Sequence, residues 1–288
     1  MTYREKYFQL VKLENKYLNK TAIKTLLQDD GGFKDFVELI KHFDEEIKDE
    51  KRLEFNISKL TSGIPLQYVI EYAYFVNSNY IVNEDVLIPR QETEQLAVSA
   101  LTYIIKNFGK DPKIKIVDIG TGSGILGIYL KEYLTKSHVI CTDISAKCLE
   151  IAKKNADKHN VEIELRQGDI LEPIIEEKDI DVIISNPPYI KDSSTVDEQT
   201  LKHEPHLALF ANPPTKYYEE ILTSIDRQLL NDKRFLIAFE IGEDLESDLT
   251  DLLETKYQGL MYRFEKDIYN KTRFLYIVKN EELTNALN

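Results

Sequence analysis

Asn186-Pro187-Pro188-Tyr189 is the stretch of this 288-residue chain whose residue types best suit chemistry. The Asn186 side-chain carbonyl can accept one N–H of a planar NH2 group, and the Pro187 backbone carbonyl can accept the other. Proline fixes φ and removes a competing backbone donor, so both acceptors are held rigidly. Tyr189 can pack flat against a planar substrate. An amide nitrogen is a poor nucleophile because its lone pair is delocalised. Two accepted hydrogen bonds push electron density onto it and hold it in line with a donor group. Such positioning supplies much of a barrier reduction without a covalent intermediate. The bland reading is a turn, since Asn-Pro often starts one.

The second motif is Val117-Asp118-Ile119-Gly120-Thr121-Gly122-Ser123-Gly124. It follows an apolar run and opens a helical pattern. Glycines there let the backbone turn sharply and approach a ligand. Asp143 ends the next strand, 19 residues after Gly124. A carboxylate at that point can accept both ribose hydroxyls of a nucleoside. Asp169, after the third strand, can accept from an adenine amino group, with Ile170 packed on the ring; the same residues also suit an ordinary strand-end turn. Gly122 to Gly127 matches the G-x-G-x-x-G dinucleotide fingerprint, which taken alone leaves a dehydrogenase open. No hydride-transfer partner or catalytic acid stands beside it, and Asn186 to Tyr189 decides against that reading.

These motifs need a scaffold. From about Glu92 strands and helices alternate: strands at 115–119, 138–142, 162–166, 181–185 and 235–240, helices at 93–108, 125–134, 146–159, 217–230 and 245–257. Alternation of this kind implies a parallel sheet with helices on both faces. Residues 261–264 and 273–278 read as two final strands, one of them antiparallel at or near the edge. In an open α/β sheet ligands bind at the carboxyl ends of the strands. The tetrapeptide, directly after 182–185, is therefore expected beside the glycine loop. Residues 1 to about 70 read as a bundle of three to five helices, with Thr21 a candidate cap for the second. Tyr68–Ile70, Tyr72–Val76 and Tyr80–Val82 read as strands of a hairpin turning at Asn77-Ser78-Asn79. The expected domains are a helical bundle over 1–70, a hairpin linker over 71–90 and a catalytic domain over 91–288.

Bulk properties narrow the classes. The net charge of −13 disfavours a phosphate-binding face and fits a protein or small-molecule substrate better than nucleic acid. The two cysteines, Cys141 and Cys148, match no common zinc spacing, and the five histidines form no HxxxH or HxH pair, so no metal site is expected. The first twenty residues mix charges throughout and lack the apolar core of a signal peptide. No run approaches the roughly 18 apolar residues of a membrane span. A cytoplasmic protein is expected.

The glycine loop, Asp143 and Asn186 to Tyr189 together resemble class I methyltransferases of the NPPY group. Gly63 to Val69 (GIPLQYV), Val86 to Glu94 (VLIPRQETE), His203-Glu204-Pro205, Ala208-Leu209, Phe239 to Gly242 and Arg273 resemble, within that group, the release-factor glutamine methyltransferases, the HemK/PrmC family. The resemblance runs from about residue 60 to 278. It implies a Rossmann-like, mostly parallel seven-stranded sheet with one antiparallel strand, beside a small N-terminal helical bundle. It implies methyl transfer from S-adenosyl-L-methionine to the side-chain amide of the glutamine in the Gly-Gly-Gln motif of class I peptide chain release factors. By the same resemblance Gly120, Thr121, Gly122, Ser123, Gly124, Asp143, Asp169, Ile170 and Asn186 hold the cofactor. Asn186, Pro187, Pro188 and Tyr189 clamp the glutamine, with Asn186, Pro187 and Tyr189 nearest the chemistry. Pro89-Arg90 and Thr93-Glu94 flank the mouth of the pocket, although Arg90 equally suits a structural salt bridge. The bundle helps dock the release factor, and neither a membrane nor stable nucleic-acid binding is implied. Two departures are local: Gln91 stands where the family often has proline, and Asn231-Asp232-Lys233 replaces a Gly-Gly turn. The competing readings are an adenine-amino methyltransferase, which would need base flipping and a basic recognition domain, and a nucleoside-sensing module without transfer.

Overall fold

The computed structural model of the chain describes residues 1–280. They divide into two compact units: Met1–Tyr72 with Glu198–His203, and Ala73–Asp197 with the rest of the described chain from Glu204. Among the described residues no helix is long and apolar enough to cross a membrane.

The first unit is helical. Its elements are α1 (Tyr3–Lys12), α2 (Lys20–Gly31), α3 (Phe36–Lys41), α4 (Glu50–Thr61) and α5 (Leu66–Ile70). Leu10, Ile23, Leu26, Leu27, Leu39, Leu53 and Leu60 meet in one core. Thr2 and Glu5 cap α1 reciprocally. Asn19, not Thr21, caps α2: its side chain accepts from Ala22 N, and Thr21 already lies within the helix. Tyr68–Ile70 is helical rather than extended. Pro65 starts that turn, where its fixed φ suits a helix start and its missing N–H costs nothing.

The second unit carries the sheet. It opens with the hairpin β1 (Tyr72–Phe75) and β2 (Ser78–Ile81), which turns at Val76-Asn77 with Val76 held at φ 55°; Asn77 is in the turn as expected, while Ser78 and Asn79 already belong to β2. Then follow α6 (Gln91–Phe108), β3 (Lys115–Ile119), α7 (Ile125–Tyr133), β4 (His138–Asp143), α8 (Ala146–His159), β5 (Glu164–Gln167) and β6 (Val182–Ser185). After the helix α9 (Glu198–His203) come α10 (Lys216–Asp226), β7 (Arg234–Glu240), α11 (Glu246–Lys256), β8 (Met261–Lys266) and β9 (Thr272–Asn280). The strand order is β5-β4-β3-β6-β7-β9-β8. The first five run parallel, and β9 is antiparallel to both β7 and β8. This is the expected seven-stranded architecture, with the reversed strand one place in from the edge. β3, β6 and β7 are buried almost throughout, as continuous apolar runs covered on both faces must be. The chain winds outward from β3 to β5 and returns to β6, so the order reverses between β3 and β6. The glycine loop and the tetrapeptide follow those two strands, at the point where such sheets bind ligands. The turn before β7 does without glycine: Asn231 Oδ1 accepts from Lys233 N at 3.0 Å, and Nδ2 donates to Asp181 Oδ1 at 3.2 Å.

Candidate active site

Asp118, the fourth residue of β3, is buried and ties the glycine loop to the helix behind it. Its Oδ2 accepts from Thr121 Oγ1 at 2.6 Å and from Gly127 N at 3.0 Å. Burial pushes its carboxyl up to about 6 against those donors. Gly127 is needed for contact rather than conformation, since a Cβ there would lie 2.3 Å from Cys141 Sγ on β4. Gly122 has φ +55°, a region costly to a side chain, and a Cβ on it would meet nothing within 4 Å. Open space over the loop is the cleft itself.

Asp143 closes β4 across that cleft. Its Oδ2 accepts from Gly122 N and its Oδ1 from Ser145 N, each at 2.9 Å. The carboxyl is nearly buried, and burial raises it above its ordinary value while the backbone donors pull it back. The same acid thus shapes the loop and faces the cleft.

The cleft wall contains Gly120, Gly122, Asp143, Asp169, Ile170, Asn186, Pro187 and Pro188. Thr121, Ser123 and Gly124 stand behind it. Thr121 bonds to Asp118, the Ser123 carbonyl accepts from Asn155 Nδ2 at 2.8 Å, and Gly124 begins α7 in the left-handed region. Tyr189 is also off the wall. Its ring packs on the core cluster of β6, β7 and α10, and its hydroxyl lies 3.4 Å from Glu240 Oε1. The flat stacking surface expected of Tyr189 is therefore not offered in this conformation. Pro89, Arg90, Thr93 and Glu94 do not line the cleft either, whereas Asp85 and Leu87 do. Arg90 is held at 2.6 Å by the Oε1 of buried Glu204, whose Oε2 accepts from Ile88 N.

Sequence reasoning missed other residues of the wall, Cys148, Leu207, Tyr217 and Ile221. These come from irregular chain or from an amphipathic helix, and nothing local marks them. It also missed how Asn186 is oriented. Its Nδ2 donates to Thr93 Oγ1 at 3.0 Å, and Thr93 Oγ1 donates to Glu240 Oε2 at 2.7 Å. The available signal was a carboxylate ending the apolar run of β7.

The sequence pattern of the methyltransferase small domain family matches residues 99–205. The release factor glutamine methyltransferase of Bacillus cereus is 36% identical over 83% of this chain and 85% of its own. That of Bacillus subtilis is 33% identical, covering 92% and 95%. This chain belongs to the release factor glutamine methyltransferase family. The Staphylococcus aureus member is 32% identical over 96% of this chain and 98% of its own. Among solved structures, the hMettl16 catalytic domain superposes with a TM-score of 0.52 at 16% identity, over 70% of this chain and 74% of that one, a likeness of fold alone. Membership fits the mostly parallel seven-stranded sheet.

Proposed function

We propose that the chain methylates the side-chain amide nitrogen (N5) of the glutamine in the Gly-Gly-Gln motif of class I peptide chain release factors, using S-adenosyl-L-methionine. The observation that carries this reading is the fixed Asn186 amide at the β3–β6 reversal, with its nitrogen turned to Thr93 and its oxygen left for a substrate.

The cleft suits the cofactor. Gly120 and Gly122 leave open the space that a Cβ would enter, and Asp143 presents a carboxylate across it. Asp143 would take the ribose hydroxyls, Asp169 the adenine amino group, and Ile170 the face of the ring. When bound, S-adenosylmethionine supplies a methyl carbon already activated by its sulfonium. The protein's own work is to hold the acceptor. Asn186 Oδ1 and the Pro187 carbonyl each accept one N–H of the glutamine amide, which concentrates its lone pair and fixes its direction. The amide becomes more acidic as it gains the methyl, and its proton leaves to solvent. The helical unit, with Phe8, Val37 and Phe55 exposed, is assigned to docking the release factor. Such a substrate places the enzyme in the cytoplasm.

Incubation with labelled S-adenosylmethionine and a purified release factor, followed by mass mapping of the Gly-Gly-Gln peptide, tests the reading. Label on that glutamine supports it. Label on DNA in a parallel reaction, with none on the release factor, would replace it by adenine-amino methylation.

A further inference from the structure

An asparagine clamp has a weakness: its amide must face the right way. Turned by half a rotation about its last bond, Asn186 would present two N–H donors to the N–H groups of a glutamine and repel them. Nothing in the tetrapeptide itself prevents this.

The fold supplies a constraint from two distant elements. Thr93 lies on the first turn of α6, 93 positions from Asn186, and Glu240 ends β7, 147 positions from Thr93. A threonine hydroxyl has one proton. An ionised Glu240 accepts only, so that proton goes to Oε2, at 2.7 Å. Thr93 Oγ1 is then left with lone pairs alone on the Asn186 side, where it accepts Nδ2 at 3.0 Å. A chain with one proton per link has one direction, and that direction leaves Asn186 Oδ1 for the substrate. Thr93 is 3% exposed and Glu240 2%, so water does not compete for the links.

We propose that Glu240 and Thr93 are positioning residues, which through this relay set the way the Asn186 amide faces its substrate. The inference rests on the amide-methylation reading and deepens it. The two residues touch no reacting atom. They act by excluding the reversed amide.

The relay has a built-in dependence on pH. Protonated Glu240 can donate to Thr93 Oγ1, which frees the threonine proton for Asn186 Oδ1 and permits the reversed chain. The groups facing Glu240 come from every element packed on it. Thr93 and Glu92 are on α6, Tyr189 follows β6, Tyr218 is on α10 with its hydroxyl donating to the Glu240 backbone carbonyl at 2.9 Å, and Arg273 is on β9. Burial dominates and pushes the Glu240 carboxyl up to about 7, with Glu92 adding to it and Thr93, Arg273 and Tyr189 opposing it. A raised carboxyl is ionised above its folded value and neutral below it, so the productive direction is lost as pH falls through about 7.

The test uses the full chain with Thr93→Val, Thr93→Ser and Glu240→Gln. Loss of the orienting hydrogen bond is expected to lower kcat for the release factor about tenfold or more in Thr93→Val, with the Kd for S-adenosylmethionine unchanged. Thr93→Ser should recover most of the lost rate, and Glu240→Gln should flatten the acid limb of kcat that the parent shows near pH 7. A second readout needs no substrate: hydrogen exchange of the Asn186 side-chain NH2, observed by 15N resonance and assigned with Asn186→Ser. The proton donated to Thr93 Oγ1 should be protected in the parent at pH 8 and lose that protection in Thr93→Val. Equal rates in Thr93→Val and the parent, equal losses in the Val and Ser variants, or unchanged protection would overturn the relay. If the parent transfers no methyl to a release factor, the substrate reading fails, and the exchange measurement still decides the relay.

Discussion

Asp143 shapes the glycine loop and, in the proposed reading, also takes the cofactor's ribose, so replacing it should produce two separable losses. In Asp143→Ala the acceptors of Gly122 N and Ser145 N, both at 2.9 Å, disappear. A hydrogen bond to a charged group is worth roughly 1.5–3 kcal/mol. Both donors border an open cleft, so water replaces part of what is lost. The expected cost in stability is about 2 kcal/mol. The larger loss falls on the cofactor. Two ribose hydroxyls would lose one shared carboxylate, about 3–4 kcal/mol, or a Kd weaker by roughly 10²- to 10³-fold. Asp143→Asn keeps one acceptor oxygen and should lose only about tenfold. Isothermal titration with S-adenosylmethionine reads the affinity, and urea unfolding without cofactor reads the stability. An Asp143→Ala protein that binds within about threefold of the parent would refute the ribose assignment, since a lost ionic hydrogen bond alone exceeds that ratio.

Other outcomes follow from the same geometry. Asp169→Ala should weaken the cofactor less than about fivefold, because that carboxylate is exposed and water competes for it; a loss equal to that of Asp143→Ala would contradict this. Gly127→Ala forces a Cβ to 2.3 Å from Cys141 Sγ, and urea titration should show it destabilised by about 1–3 kcal/mol. Arg90→Ala removes a part-exposed guanidinium from Glu204, which keeps its bond from Ile88 N; this should cost about 2 kcal/mol while cofactor affinity, measured by titration, stays unchanged because Arg90 is off the cleft wall. For Glu240, raised from its ordinary value to about 7, the sign is that stability is present below about pH 4.5 and lost as pH rises through about 7. Glu240→Gln should therefore unfold later than the parent at pH 8, by on the order of 3 kcal/mol, with the advantage shrinking toward pH 5.

Much of the sheet could be read in advance because its signals are local. Lys115–Ile119 and Val182–Ser185 are apolar runs too short for helices and bounded by turn residues. Asn186 and Asp143 were legible as a pair because Asp143 ends, and Asn186 directly follows, a strand whose carboxyl end must face the cleft. Errors arose where two structures share one local pattern. Tyr68-Val69-Ile70 suits a strand by composition, and only Pro65 at the start of the turn favours the helix. The helix expected to reach Leu230 stops at Asp226, because Gln228 turns into the left-handed region and returns Leu229 and Leu230 to the core. Cleft residues such as Leu207 and Tyr217 carry no mark in their neighbours, since their role arises from where the chain folds back. The Glu240–Thr93–Asn186 relay joins residues far apart in sequence, and only tertiary structure brings them within hydrogen-bond reach.

The most direct measurement is single-turnover methyl transfer to a release factor by enzyme saturated with S-adenosylmethionine, comparing the parent with Asn186→Ala. Without the Asn186 oxygen proposed to hold the glutamine amide, the rate should fall by roughly 10²-fold or more at full cofactor occupancy. A variant that transfers at the parental rate would show that the residue 186 carbonyl does not hold the accepting nitrogen.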